Sequence, residues 1–202
     1  MNEQIFVVVA YLVGSIAFGI IASKLFHLPD PRTVGSGNPG ATNVMRSGKK
    51  AAAILTLLGD AGKGWLMVWL AKYQYGLTET WVCITAISVF LGHLFPVFYG
   101  FRGGKGVATA AGILLAILPW LGLSVLATWL LVFAFRRVSS LAALIAAGLA
   151  PIYAIIFFGS GDVSATVLLL SAMLVWRHRT NIKKLMGGTE AGFGKEKEND
   201  RD

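Results

Sequence analysis

Residues 107–135 form a stretch of 29 residues without a single charge, mostly apolar, with Pro119 near the middle. Nothing else in the chain restricts its fold as much. A run of this kind belongs in a bilayer, crossed either once by a long tilted helix or twice by two short ones. Further apolar runs lie at 5–21, 51–71, 81–99, 141–158 and 163–176. Only 14% of residues are charged and 55% are hydrophobic, whereas a soluble domain is about a quarter charged. Mean hydropathy is +0.67. The chain therefore reads as one polytopic membrane domain over residues 1–202, with a charged, frayed tail at 194–202. Residues 1–4 carry no positive charge, and no small-residue cleavage site follows, so the first run reads as a span and not as a cleaved signal.

Charge placement decides between one crossing and two. Lysine and arginine collect in cytoplasmic loops. Four basic groups must be placed: residues 24–50, Arg102 with Lys105, Arg136 with Arg137, and residues 177–184. If 107–135 crossed once, Arg136 and Arg137 would lie opposite Arg102. If it crosses twice, turning at Pro119, all four groups fall on one side. The expected fold is thus all-α with about seven transmembrane helices, some short, the N-terminus outside and the C-terminus cytoplasmic. Five or six spans is the alternative. Tyr73, Tyr75, Trp81 and Trp120 then fall near the outer boundary, and Tyr99 and Trp176 near the inner one, where aromatic belts are expected. The net charge of +8 would suit nucleic acid, but its division into short clusters between apolar runs is the pattern of membrane topology. Cys83, the single cysteine, sits in an apolar run and reads as a buried structural thiol.

This topology puts three polar stretches on one face. In the first, GSGNPGATNVMR, Ser36, Asn38, Asn43 and Arg46 stand among three glycines. Asn38 before Pro39 resembles a helix cap followed by proline at the first helical position, which would set Asn43 and Arg46 on one helical face. Backbone amides with an arginine suit phosphate oxygens; a solvated turn is the other reading. In the second, Arg102-Gly103-Gly104-Lys105-Gly106 is a short basic glycine-rich turn. Glycine permits positive φ and close backbone approach, and successive N–H groups make an anion-binding concavity. An ordinary turn between spans is the plain alternative. His93, just ahead of it, is read as structural before catalytic. In the third, RHRTNIKKLMGGTE, His178, Asn181 and Lys184 recur every three residues, so a helix would put them on one face. A basic segment binding anionic lipid explains the cations there but not His178 or Asn181. Glu190 reads as the structural partner of a cation. Asp60 and Lys63 lie three apart inside the second run, either as an internal ion pair or lining a cavity.

The absences narrow the chemistry. The sequence has no cysteine–histidine spacing for zinc, no HExxH, no GxSxG elbow and no Walker A pattern, since Lys105 precedes Gly106. No metal or cofactor is expected. The donor set is rich in amides and cations and poor in nucleophiles, which suits a substrate that is itself activated and anionic.

Taken together, the three stretches resemble the bacterial membrane glycerol-3-phosphate acyltransferases that use acyl phosphate as donor. That family's patterns look like SGNxGAxNxxR, GHxFPxxxxFKGGKGVAT and RHxxNIxRLLxGxE. Here they are met by residues 36–43 with Arg46, by Gly92, His93, Phe95, Pro96 and residues 101–109, and by Arg177, His178, Asn181, Ile182, Gly188 and Glu190. Arg102 stands where lysine is common and Lys184 where arginine is common; both keep the charge, though bidentate phosphate contacts differ. The soluble-donor acyltransferases carry HxxxxD; here His93 is followed five residues later by Phe98.

The resemblance implies acyl transfer from acyl phosphate to the 1-hydroxyl of sn-glycerol 3-phosphate, giving lysophosphatidate and inorganic phosphate. It implies a multi-pass protein of the bacterial cytoplasmic membrane, a site at the cytoplasmic face, and coupling to an enzyme that makes acyl phosphate. Ser36, Arg46 and Lys105 would bind phosphate, helped by Asn38, Asn43 and Arg102, with Gly103, Gly104 and Gly106 offering backbone amides, by resemblance toward glycerol phosphate. His178 and Asn181 would orient or deprotonate the attacking hydroxyl, with Ser36 beside them in the reacting group. A substrate phosphate as base leaves His178 as a positioner. A phosphate or organic-anion transporter is the competing class, but no inverted repeat accompanies the one-sided motifs.

Overall fold

The computed structural model describes residues 2–192; the expected frayed tail lies outside them. All regular structure among the described residues is helical. The chain divides into two compact units, residues 1–122 and 123–202.

The first unit holds α1 (Glu3–Gly14), α2 (Phe18–Leu25), α3 (Ala41–Arg46), α4 (Lys50–Trp69), α5 (Glu79–Leu94) and α6 (Val107–Ile117). A π-helical turn, Leu70–Gln74, extends α4, and a 3₁₀ turn, Val97–Tyr99, follows α5. The expected first span, 5–21, is not one helix. It is broken between Gly14 and Phe18, and α1 and α2 are bent by 41°. The cause is local polar bonding. The Ser15 hydroxyl donates back to the Tyr11 carbonyl at 2.9 Å, a bond that bends helices, and the Ile16 carbonyl accepts from Lys63 Nζ at 2.7 Å.

Helices in lipid gain little from apolar burial against each other and associate by close packing of small residues. This unit does so. A Cβ on Gly14 would lie 2.2 Å from the Val89 carbonyl oxygen, and one on Gly92 would lie 2.2 Å from that of Tyr11. The crossing of α1 and α5 is therefore backbone on backbone. α4 and α6 meet alike: a Cβ on Gly112 would be 2.0 Å from the Ala61 carbonyl oxygen.

The 29-residue stretch is two helices. α6 ends at Ile117, Leu118 is extended (φ −152°, ψ 120°), and Pro119 opens α7 (Pro119–Arg136). A residue before proline is pushed out of the helical region, while proline suits the first helical position. The reversal is tight: a Cβ on Gly122 would be 2.6 Å from the Leu115 amide nitrogen.

The second unit carries the rest of α7, α8 (Ser139–Phe158), α9 (Asp162–Arg177) and α10 (Arg179–Met186). α8 turns an alanine stripe inward, with Ala142, Ala143, Ala146, Ala147, Ala150 and Ala154 buried. Large apolar side chains of α7, such as Leu130, Leu131 and Phe135, are exposed, the surface expected where lipid is the solvent. Among the described residues, four helical segments are long and apolar enough to span: Lys50–Gln74, Glu79–Tyr99, Pro119–Arg136 and Ser139–Phe158. The α1–α2 pair is a fifth if counted as one bent span. α6, with 11 residues, is only about 16 Å long.

Candidate active site

The first polar stretch is built around Asn43. Its Nδ2 donates to the carbonyls of Pro31 at 2.8 Å and Val34 at 3.1 Å, and its Oδ1 accepts the Ser36 N–H at 2.9 Å. Asn43 is buried, so it serves to shape the loop, and its expected contact with phosphate has no support in this arrangement. Ser36 is exposed between Gly35 (φ 56°) and Gly37 (φ 68°), both left-handed. A Cβ at Gly35 would also sit 2.4 Å from Asn43 Oδ1, so glycine is required twice over. The expected cap at Asn38 is not formed. α3 starts at Ala41 with Gly40 as its cap, and the half-buried Asn38 side chain packs across Gly40 instead. Arg46 lies exposed in the last turn of α3. The loop rests on α2, where a Cβ on Gly19 would meet the Pro39 carbonyl oxygen at 1.8 Å.

The second stretch shares this unit. Tyr99 lies beneath the Arg32 guanidinium, 6.0 Å from ring centroid to Cζ, which ties the first loop to the second. Asp30 holds Arg32 in a fork, accepting from Nε at 3.0 Å and from Nη2 at 2.7 Å. That hydrogen bond from Arg32 keeps the Asp30 carboxyl below its ordinary range. Residues 102–106 have no regular structure and lead into the N-terminus of α6, where orphan N–H groups and the positive end of the helix dipole favour an anion. The three glycines are needed for different reasons. Gly106 is left-handed (φ 90°). Gly103 and Gly104 do not have positive φ; they are small because His93 is directly beneath them. A Cβ on Gly103 would be 2.1 Å from the His93 carbonyl oxygen, and one on Gly104 would be 2.2 Å from His93 Nε2. Arg102 is exposed and Lys105 half-buried.

Asp60 and Lys63 are an internal ion pair, with Oδ1 and Nζ 2.9 Å apart and both side chains buried. Asp60 Oδ1 is also 3.5 Å from His93 Nδ1. His93 is buried.

The third stretch belongs to the second unit. His178 is not on a helical face with Lys184. It forms the junction between α9 and α10 (φ −91°, ψ 9°) and is buried, whereas Lys184 is exposed. His178 Nδ1 lies 2.8 Å from the Leu174 carbonyl oxygen. A carbonyl only accepts, so Nδ1 carries the proton, and Nε2 of the neutral ring bears the basic lone pair. Asn181 Nδ2 donates to Glu190 Oε1 at 2.6 Å, and the same oxygen accepts from the Ser140 hydroxyl. Glu190 thus partners an amide and a hydroxyl, where the sequence suggested a cation. Gly188 (φ 68°) turns the chain back after α10 so that Glu190 reaches Asn181. Ser140 escaped the sequence reading because its partner lies 50 residues away. Asp30 and Arg32 escaped it because an Asp-Pro-Arg run looks like an ordinary turn.

The family model described as glycerol-3-phosphate acyltransferase matches residues 4–188. The chain belongs to the glycerol-3-phosphate acyltransferase family. A relative of that name from Methylobacillus flagellatus is 63% identical, aligned over 96% of this chain and 99% of its own. Another, from Ralstonia nicotianae, is 55% identical over 96% and 95%. Among solved structures, the crystal structure of PlsY, an integral membrane glycerol 3-phosphate acyltransferase, superposes in its glycerol 3-phosphate form with a TM-score of 0.91 at 38% identity, covering 96% of both chains. The lysophosphatidic acid form of that protein gives 0.89 at 36% identity with the same coverage. This acyltransferase is accordingly a multi-pass membrane protein.

Proposed function

We propose that the chain transfers a fatty acyl group from acyl phosphate to the 1-hydroxyl of sn-glycerol 3-phosphate, releasing lysophosphatidate and inorganic phosphate. The observation that carries this reading is the glycine turn laid on His93 and opening onto the start of α6. It leaves no room for side chains and sets the N–H groups at the start of α6, which suit an anion, at its end. The family's PlsY structures, in glycerol 3-phosphate and lysophosphatidic acid forms, support the same acceptor and product.

The chemistry follows from the donor. Acyl phosphate is a mixed anhydride. The acceptor oxygen attacks the acyl carbonyl carbon, the bond from that carbon to the phosphate oxygen breaks, and inorganic phosphate departs. No covalent acyl-enzyme is needed, so positioning and electrostatic stabilisation carry the rate. Arg46, Lys105 and Ser36 hold phosphate oxygens, Arg102 adds positive charge, and the turn through Gly103, Gly104 and Gly106 brings the N–H groups at the start of α6 to them, the Gly104 N–H itself being taken by the His93 carbonyl. His178 Nε2 accepts the hydroxyl proton, or orients the hydroxyl toward a substrate phosphate that does. Asn181, steadied by Glu190, orients the same hydroxyl.

The basic segments favour one placement in the bilayer. In it the α1–α2 pair, α4, α5, α6, α7, α8 and α9 make seven crossings, the N-terminus is outside, and the site faces the cytoplasm of a bacterial inner membrane. The whole chain then serves one reaction, supplied by an enzyme that makes acyl phosphate. A transporter is not favoured: Asp60 and Lys63 are spent on each other and on Ile16. The test is direct. Purified protein given acyl phosphate and glycerol 3-phosphate, without metal or acyl-CoA, is expected to release lysophosphatidate and phosphate in equal amounts. No product under those conditions overturns the reading.

A further inference from the structure

Three ionisable side chains, Asp60, Lys63 and His93, are buried together between α4 and α5. Ionisable groups within membrane spans are expensive and tend to mark function. For packing alone an apolar set of similar volume would serve as well or better. What these groups touch suggests what they do. On one side, Lys63 Nζ donates to the Ile16 carbonyl, in the break between α1 and α2, at 2.7 Å. In the middle, Asp60 Oδ1 sits 2.9 Å from Lys63 Nζ and 3.5 Å from His93 Nδ1. On the other side, the His93 carbonyl accepts the Gly104 N–H at 3.2 Å, and His93 Nε2 occupies the space a Gly104 side chain would need. The charges thus run from the kink of the first span to the underside of the glycine turn.

We propose that Asp60, Lys63 and His93 are positioning residues that hold the glycine turn at a fixed height and shape, and thereby set its affinity for the substrate phosphate. The inference rests on reading that turn as a phosphate cradle. His93 is the surface on which Gly103 and Gly104 lie. Asp60 fixes the ring of His93, and Lys63 fixes Asp60 while tying it to the α1–α2 break. None of the three touches substrate. A turn with no regular structure depends on the groups it is laid on to fix its shape.

The test compares four full-length variants in detergent, each checked for its melting temperature. Gly104→Ala reports on the cradle itself and shows which KM, that of glycerol 3-phosphate or of acyl phosphate, depends on the turn. Asp60→Asn with Lys63→Gln replaces the charges by amides of similar size, so the helix pair still packs without a lone buried charge. His93→Gln keeps the backbone carbonyl and a polar side chain, whereas His93→Ala removes the floor. The double variant and His93→Ala are expected to raise the same KM as Gly104→Ala by about tenfold, with kcat changed less than threefold, and His93→Gln is expected to recover part of the loss. If Gly104→Ala raises a KM and the brace variants, folded as the parent, leave it unchanged, the positioning role is overturned while the cradle stands. If Gly104→Ala leaves both KM values unchanged, the cradle fails and the inference fails with it. Loss of kcat and both affinities only in proportion to the folded fraction also overturns it.

Discussion

Asn181 and Glu190 face each other at 2.6 Å, amide nitrogen to carboxylate oxygen, and that oxygen also takes the Ser140 hydroxyl. The carboxylate fixes which way the amide points: its Nδ2 is committed to Glu190, so the carbonyl end is the one turned elsewhere. Glu190→Ala is therefore expected to lower kcat at least tenfold, because a charge-assisted hydrogen bond is worth about 1.5–3 kcal/mol. Glu190→Gln still accepts one bond and is expected to fall between the two. Steady-state rates for both variants check this; normal turnover in Glu190→Ala would mean that the orientation of Asn181 does not matter.

His178 Nδ1 faces the Leu174 carbonyl oxygen at 2.8 Å, so the proposed mechanism assigns proton transfer to Nε2. His178→Ala is expected to lower kcat by about a hundredfold or more, in line with general base catalysis, with the melting temperature near that of the parent. A pH–rate profile separates the two mechanistic readings. If His178 is the base, the acidic limb seen in the parent disappears in His178→Gln; if a substrate phosphate is the base, the limb remains.

Asn43→Ala removes three hydrogen bonds made to Pro31, Val34 and Ser36. Leaving these groups unpaired, the buried Pro31 carbonyl above all, costs about 1–3 kcal/mol. The expected result is a lower melting temperature together with a raised KM for a phosphate substrate, since the Ser36 backbone loses its anchor. A change in KM with unaltered melting would instead point to direct ligand contact by Asn43.

Gly106→Ala should be the most damaging of the glycine changes. Its φ of 90° is left-handed and a Cβ would meet the Phe90 ring at 2.3 Å, so strain and overlap add. Thermal unfolding in detergent should show a large drop, and a parent-like melting curve would contradict the geometry of the turn.

Asp30 gives a pH signature outside the spans. Its carboxyl is lowered from the ordinary value of 3.8 by the Arg32 hydrogen bond. A carboxylate lowered by folding contributes stability that is present in full above the ordinary value and is lost as pH falls through the lowered one. The pair is substantially solvated, so the contribution is small. Asp30→Asn is expected to flatten the acid end of a melting-temperature curve slightly and to leave neutral pH almost unaffected. An unchanged acid limb would show that the Arg32 fork carries no stability.

Much of this was legible in the residues alone. The length of the apolar stretch left one helix or two open within 107–135, and the placement of the basic residues on either side decided for two with a turn at Pro119, because topology follows charge that the sequence displays. The pairing of Asp60 with Lys63 follows from their spacing on a helix in an apolar setting, where neither charge is tolerated alone. Motif order was enough to point to the family. Other features are properties of contact between distant segments. Nothing local shows that Gly103 and Gly104 are small because His93 lies under them, or that Glu190 holds an amide and a serine 50 residues back. The kink at Ser15 depends on a hydroxyl bonding its own helix and on a lysine from α4 taking the Ile16 carbonyl. Asn43, which looked like a ligand, is turned inward to staple its own loop. Periodicity and local propensity are written in neighbouring residues, so sequence determined the helices and the chemistry of the motifs. Which polar group faces a ligand and which is consumed by the fold depends on where each buried donor finds its acceptor, and only the tertiary structure decides that.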